Sequence, residues 1–269
     1  MGGDNSPDAT LNGAYLATKE LKENEKIVLV GDEIIAKSWL LSKNIDSSIF
    51  EFIHADEVIT MNEHATKALR KKPNNSISIG FKALKDKEID VFSSAGNSGA
   101  MLVGSMFSIG PIKGVIRPSI TSVLPKKNGG VGLILDVGVN ADCKPDVLFQ
   151  FAILGSLFAE NVYNIKNPKV GLLNIGEERG KGNLLTQATY RLLEDNDDIN
   201  FIGNIEGRDL FNDKADVVVC DGFTGNVVLK LAESFYTLID QKKLSDPYFD
   251  RFNYEIYGGT PVLGVDGNV

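Results

Sequence analysis

Val217-Val218-Val219-Cys220-Asp221-Gly222-Phe223-Thr224-Gly225-Asn226 packs a strand, a turn and a helix start into ten residues. The unbroken apolar run predicts a strand covered on both faces, as in a parallel sheet flanked by helices. Asp-Gly then breaks the strand, and Thr224 opens a helical pattern that runs to Ile239. The same grammar recurs along the chain. Further strands are predicted at 27–30, 49–53, 91–93, 131–137, 169–175 and 199–202. Helices are predicted at 8–21, after Gly31-Asp32, and at 62–71, 98–109, 145–161 and 181–194. Alternating elements of this kind make an α/β protein with a mostly parallel, doubly wound sheet. We expect one α/β domain over 1–269, or two lobes of it. Met1-Gly2-Gly3-Asp4 lacks a preceding strand and Val262-Leu263-Gly264-Val265 has little after it, so further residues are expected at both ends.

Composition narrows the function. The 269 residues carry 28 basic and 36 acidic side chains, a net charge of −8, which disfavours a broad nucleic-acid or anionic-membrane surface. Two cysteines make no disulfide framework, and His54 and His64 make no rich metal site. No apolar run reaches the ~18 residues of a membrane span and no signal peptide opens the chain, which points to the cytoplasm. Tyr248, Phe249 and Phe252 sit in a polar excursion between elements, where such aromatics usually pin a loop to its own domain.

Glycine is over-represented, at 27 residues, and much of it stands beside Asp, Asn or Ser in clusters that follow strands. Ligands of α/β sheets collect at such junctions, because free N–H groups at a helix N-terminus attract anions. Gly96, Asn97 and Ser98 open one helix; Asp221 to Asn226 open another. Lys181 and Asn183 leave a third strand, where the lysine can meet a phosphate or a developing oxyanion. Arg208 either clamps phosphate bidentately or pairs with Glu206 or Asp209. Asp136 ends a strand as a functional carboxylate or a cap. No G-x-x-x-x-G-K-[ST] and no G-x-G-x-x-G occurs at these turns, against a P-loop ATPase or a dinucleotide fingerprint.

Read in order, Met1 to Asn5, Ser94 to Ala100, Arg117-Pro118, Leu135 to Gly138 with Asn140, Gly171 to Glu178 and Lys181 to Asn183 form a recognisable series. Asn204 to Asp209, Cys220 to Asn226 and Tyr257-Gly258-Gly259 continue it. The series resembles the bacterial phosphate acyltransferases of phospholipid synthesis, with Ser98 where that family usually has Thr. The resemblance implies the fold of phosphotransacetylases and isopropylmalate-type dehydrogenases. It also implies a strand before Met1 and a Gly-His-Gly segment after Val269.

The activity so implied is transfer of a long-chain acyl group from acyl-carrier protein to inorganic phosphate, giving acyl phosphate, with no cofactor and no metal. Implied partners are the carrier, phosphate, a second copy in a homodimer and a membrane glycerol-phosphate acyltransferase, the last with a peripheral place at the inner membrane face. Phosphate is itself the nucleophile, so the protein need only position it and stabilise the oxyanion. Gly96, Asn97, Ser98, Arg117 and Arg208 are the expected phosphate ligands. Lys181, Asn183 and Asn226 are the expected oxyanion or thioester donors, with Asp136 and Asp221 orienting the cations. Cys143 and Cys220 are expected to be structural thiols, although Lys144 is placed to lower the pKa of Cys143.

The long apolar helix at 145–161 is expected to be partly a subunit interface. Between Lys67 and Lys87, seven basic residues face one acid, a local +6. Arg70, Lys71 and Lys72 there are the expected docking site for an acidic carrier, with Lys126-Lys127 second. The alternatives are a phosphotransacylase of short acyl-coenzyme A, a metal- and NAD-dependent dehydrogenase, and a non-enzymatic scaffold.

Overall fold

A computed structural model describes residues 2–241, 247 and 260–267, and divides the chain into two compact units, Met1–Ile112 with Val265–Val269 and Lys113–Gly264. The aromatics Tyr248, Phe249 and Phe252 and the Tyr257-Gly258-Gly259 motif lie outside the described residues.

The first unit contains α1 (Asp8–Ala17), β1 (Val28–Gly31), α2 (Glu33–Ser42), β2 (Glu51–His54), α3 (Ala65–Lys71), α4 (Ser76–Lys85) and α5 (Ser98–Ser108). β1 and β2 pair in parallel, with Val28 opposite Glu51. Asp32 caps α2 by accepting from the N–H groups of Ile34 and Ile35. The sequence reading has no helix at 76–85, yet Asn75 caps one there, accepting from Ile77 and Ser78. Ile77, Phe81 and Leu84 supply its buried face. Val91-Phe92-Ser93, expected as a strand, is not one. Phe92 plugs edge-on against Phe81 at 5.1 Å, so its side chain, not a ladder, holds the segment.

In the second unit β3 (Ser119–Pro125), β4 (Val131–Leu135), α6 (Pro145–Tyr163), β5 (Val170–Leu173), α7 (Leu184–Glu194), β6 (Phe201–Ile205), β7 (Val217–Val219), α8 (Gly222–Gln241) and β8 (Val262–Leu263) follow in turn. The strands lie in the order β6-β5-β7-β4-β3-β8. β4 to β7 run parallel, and β3 is antiparallel to both of its neighbours. The expected α/β, mostly parallel fold is borne out. β3 is absent from the strands foreseen above because Ser119, Thr121 and Ser122 interrupt its apolar pattern, although all three are buried.

The core of this unit joins Leu133, Leu135, Val217 and Val219 of the sheet to Val147, Leu148, Phe151 and Ala152 of α6. Most of the apolar face of α6 is therefore spent on its own unit, and Leu157 is left half-exposed. α8 carries an exposed apolar stripe, where Val227, Leu231, Phe235 and Leu238 recur at three- and four-residue steps and are each more than half exposed. Among the described residues no helix is long and apolar enough to cross a membrane.

α6 reaches the sheet because residue 155 has no side chain. A Cβ there would stand 2.6 Å from Val217 Cγ1 and 2.8 Å from Leu135 Cδ2. Gly155→Ala is expected to destabilise the protein by about 1–3 kcal/mol through overpacking, read from the urea midpoint. A variant as stable as the parent would contradict this packing.

Candidate active site

Because β4, β5, β6 and β7 are parallel and β3 is antiparallel to β4, five connections of the second unit reach one edge of its sheet. Their order along that edge follows the strand order: 206–209, 174–183, 220–226, 136–144 and 114–118. Nearly every polar residue singled out above in this unit lies on one of them.

Asp136 anchors three of them. It is fully buried, and its Oδ1 accepts from the backbone N–H groups of Ile120, Gly138 and Val139 at 3.2–3.3 Å. Oδ2 accepts from the N–H and the Nδ2 of Asn140, both at 2.7 Å. Asn140 Nδ2 also donates to Pro118 O at 2.8 Å, tying β3 to the turn. Asp221 accepts from the N–H and hydroxyl of Thr224 at 2.8 and 2.9 Å and so caps α8. These two carboxylates, expected to orient cations, take N–H and hydroxyl donors and make no ion pair among the described residues. A buried carboxylate met by five N–H groups is already satisfied without a cation.

α8 starts on top of this turn. The N–H of Gly222 donates to Asn140 O at 2.8 Å, and a Cβ at Gly225 would overlap Asp136 O. The glycines of Asp221 to Asn226 thus serve helix-to-loop contact. Asn226 Nδ2 donates to Val137 O at 3.2 Å, so that amide is partly committed.

The 174–183 connection is closed by amides. Asn174 Nδ2 donates to Lys181 O and to Asn204 Oδ1, both at 3.1 Å, and Asn204 Nδ2 donates to Glu178 O at 2.9 Å. Asn183 caps α7, its Oδ1 accepting from Thr186 N–H at 2.9 Å. Lys181 is exposed and makes no ion pair among the described residues. The other cations of 174–183 and 206–216 are all paired: Arg179 with Glu194, Arg208 with Glu206 and Glu177, Lys214 with Glu177 and Asp209. The hydrogen bond from Lys214 holds the Glu177 carboxyl below its ordinary range. Arg208 lies 3.1 Å from Glu206, one of the partners foreseen for it. Arg117 is exposed, donates from Nη1 to Asp142 O at 3.1 Å, and has no carboxylate partner among the described residues.

Gly96, Asn97 and Ser98 belong to the first unit. Asn97 caps α5 through Ala100 N–H, and its Nδ2 donates to the carbonyls of Thr60, Met61 and Glu63. That side chain is committed within its own unit. Ser98, the first residue of α5, keeps an exposed hydroxyl. Of the docking residues, Arg70 and Lys71 are exposed, while Lys72 donates to Glu63 and to Val58 O at 2.7 Å. Lys126 is buried against Asp216 at 2.5 Å, so it forms no exposed basic island. His54 Nδ1 accepts weakly from Glu33 N–H at 3.4 Å, and His64 precedes α3 with no side-chain cap bond.

Over residues 1–269 the sequence matches the family described as Fatty acid synthesis protein. Proteins named Phosphate acyltransferase from Dictyoglomus turgidum and Acetivibrio thermocellus are 43% and 44% identical to it, the match covering the whole chain and 85% and 84% of theirs. The chain belongs to this family of acyltransferases. Among solved structures, the EutD phosphotransacetylase from Staphylococcus aureus shares the fold, with a TM-score of 0.64 at 16% identity over 98% of this chain and 84% of that one. A phosphotransacetylase from Streptococcus pyogenes follows at 0.54 and 14%, over 96% and 91%.

Neither cysteine of this family member is prepared as a nucleophile. Burial, then the nearby carboxylates of Asp136 and Asp221, push the Cys143 thiol up to about 12, with Arg117 opposing. Lys144 does not offset them. Burial raises the Cys220 thiol as well. Since the thiolate is the reactive form, Cys143 in the native protein is expected to react with iodoacetamide at pH 8 at least a hundredfold more slowly than a model thiol. Alkylation at the model rate, followed by mass spectrometry, would contradict the protonated state.

Proposed function

We propose that the chain transfers a fatty acyl group from acyl-carrier protein to inorganic phosphate, with phosphate attacking the thioester carbonyl directly. The observation that carries this reading is Lys181, the one cation of 174–183 and 206–216 left without a carboxylate among the described residues. The name borne by relatives at 43–44% identity supplies the chemistry. A phosphate oxygen is already a competent nucleophile, so the protein needs anion donors and positioning, and no activated side chain. Arg117 holds phosphate through its guanidinium. Lys181 neutralises the oxyanion that grows on the carbonyl, and the expelled thiolate leaves with the carrier. The raised thiol of Cys143 fits this division of labour, because an acyl-cysteine route needs a thiolate.

Acyl phosphate is trapped by hydroxylamine as the hydroxamate. Palmitoyl-carrier protein with phosphate is expected to yield palmitoyl hydroxamate; acetyl-coenzyme A used in preference would favour the short-chain reading suggested by the phosphotransacetylase fold. Lys181→Ala is expected to lower kcat by about a hundredfold or more, the usual loss for one oxyanion donor. Arg117→Ala is expected to act mainly on the phosphate KM, by about tenfold or more, as for loss of a charge-assisted hydrogen bond. No hydroxamate from any acyl donor would overturn the reading.

Carrier docking falls to the exposed cations of the first unit, Lys67, Arg70 and Lys71, since Lys72 is already paired. Reversing those three to Glu is expected to raise the carrier KM most steeply at low ionic strength, with the phosphate KM unchanged. Carrier kinetics untouched at low salt would place docking elsewhere. The stripe Val227, Leu231, Phe235 and Leu238 of α8 is our proposed homodimer face, and Leu231→Glu with Phe235→Glu is expected to give a monomer by light scattering. A parent chain that is already monomeric at micromolar concentration would refute the dimer.

A further inference from the structure

We infer that Ile175, Leu184 and Phe223 form an apolar rim that grips the alkyl chain of the acyl donor and sets the chain length this protein prefers. The inference rests on the acyl-transfer reading above and names the residues that would give it selectivity. Three large apolar side chains stand 83%, 87% and 67% exposed at the same edge of the sheet as the unpaired lysine. Apolar side chains left in water forgo the stabilisation that burial gives, so their concentration at a polar edge calls for an occupant.

The backbone explains why they gather. β5 and β7 are neighbours in the sheet, so the connection carrying Ile175 and the turn carrying Phe223 emerge side by side. The Asn174 bond to Lys181 O folds the 174–183 connection back on itself. The fold brings Gly176 against the stem of Lys181, 3.0 Å from where its Cβ would be to Lys181 Cγ, which sets Ile175 next to that lysine in the chain's path. Leu184 is the first residue of α7, immediately after the Asn183 cap. A molecule that lies on these three residues and also reaches Lys181 or Asn183 is apolar at one end and meets a cation and an amide at the other. An apolar tail joined to a carbonyl that develops negative charge has this polarity along its length; a partner's apolar helix does not.

The test is the ratio of kcat/KM for palmitoyl-carrier protein to that for acetyl-carrier protein, measured by hydroxamate formation in the parent and in Ile175→Ser, Leu184→Ser, Phe223→Ser and the triple variant. The ratio is expected to fall in each single variant and at least tenfold in the triple variant, with the phosphate KM unchanged. An unchanged ratio in an active, folded triple variant would overturn the rim. Equal losses on both donors, together with weaker self-association in sedimentation velocity, would also overturn it and assign these residues to contact with a second copy. If the parent forms no hydroxamate at all, the acyl-transfer reading fails, and the rim is judged by binding of the fluorescent fatty acid cis-parinaric acid. Saturable binding lost in the triple variant supports an alkyl site, and binding equal in both overturns it.

Discussion

The buried carboxylate of Asp136 holds the candidate site together. Its two oxygens collect N–H groups from β3, from the turn after β4 and from the side chain of Asn140. Asn140 passes the constraint on, accepting from the first N–H of α8 and donating to Pro118 O just beyond Arg117. One charge, desolvated and surrounded by donors, thereby sets three connections of the sheet edge. Removing it would take the acceptor from the backbone N–H groups of Ile120, Gly138, Val139 and Asn140, at a cost of about 1–3 kcal/mol for each one that is buried. The carboxylate is thus an organiser of backbone: it sets the turn after β4, the strand end next to Arg117 and, through Asn140, the start of α8.

The cations of this edge sort themselves by partner. Arg179, Arg208 and Lys214 are held by carboxylates, and Arg117 and Lys181 are held only through their backbones or a carbonyl. An anion arriving at the edge displaces no carboxylate from the second pair, so that pair can give the incoming charge its full attraction. The thiol of Cys143, within the field of Arg117, is held protonated by burial and by Asp136 and Asp221. The same carboxylates that organise the backbone therefore disarm the nearby sulfur.

Much of this was legible in the sequence. Val217 to Asn226 announces strand, turn and helix through apolar run, Asp-Gly break and threonine, and the structure follows it within a residue or two. What stayed hidden was whatever depends on a partner distant in the chain. β3 reads as mixed polar sequence because its serines and threonines are buried by neighbours the sequence does not reveal. Phe92 looks like part of a strand until Phe81 is seen to hold it. Asp136 has no sequence signal that separates a catalytic carboxylate from a structural one, since the difference lies in donors from Ile120 and Asn140. Arg208 likewise meets Glu177, more than thirty residues away, a partner that no local pattern indicates. Lys126 looked like an exposed cation until Asp216 appeared beside it.

Direct attack by phosphate requires both substrates on the protein at once, whereas an acyl-enzyme route separates them. The most direct measurement is an initial-velocity matrix in palmitoyl-carrier protein and phosphate, with acyl phosphate as the product followed. Intersecting double-reciprocal lines are expected, the signature of a ternary complex. Parallel lines, with acyl transferred to Cys143 in the absence of phosphate, would contradict it.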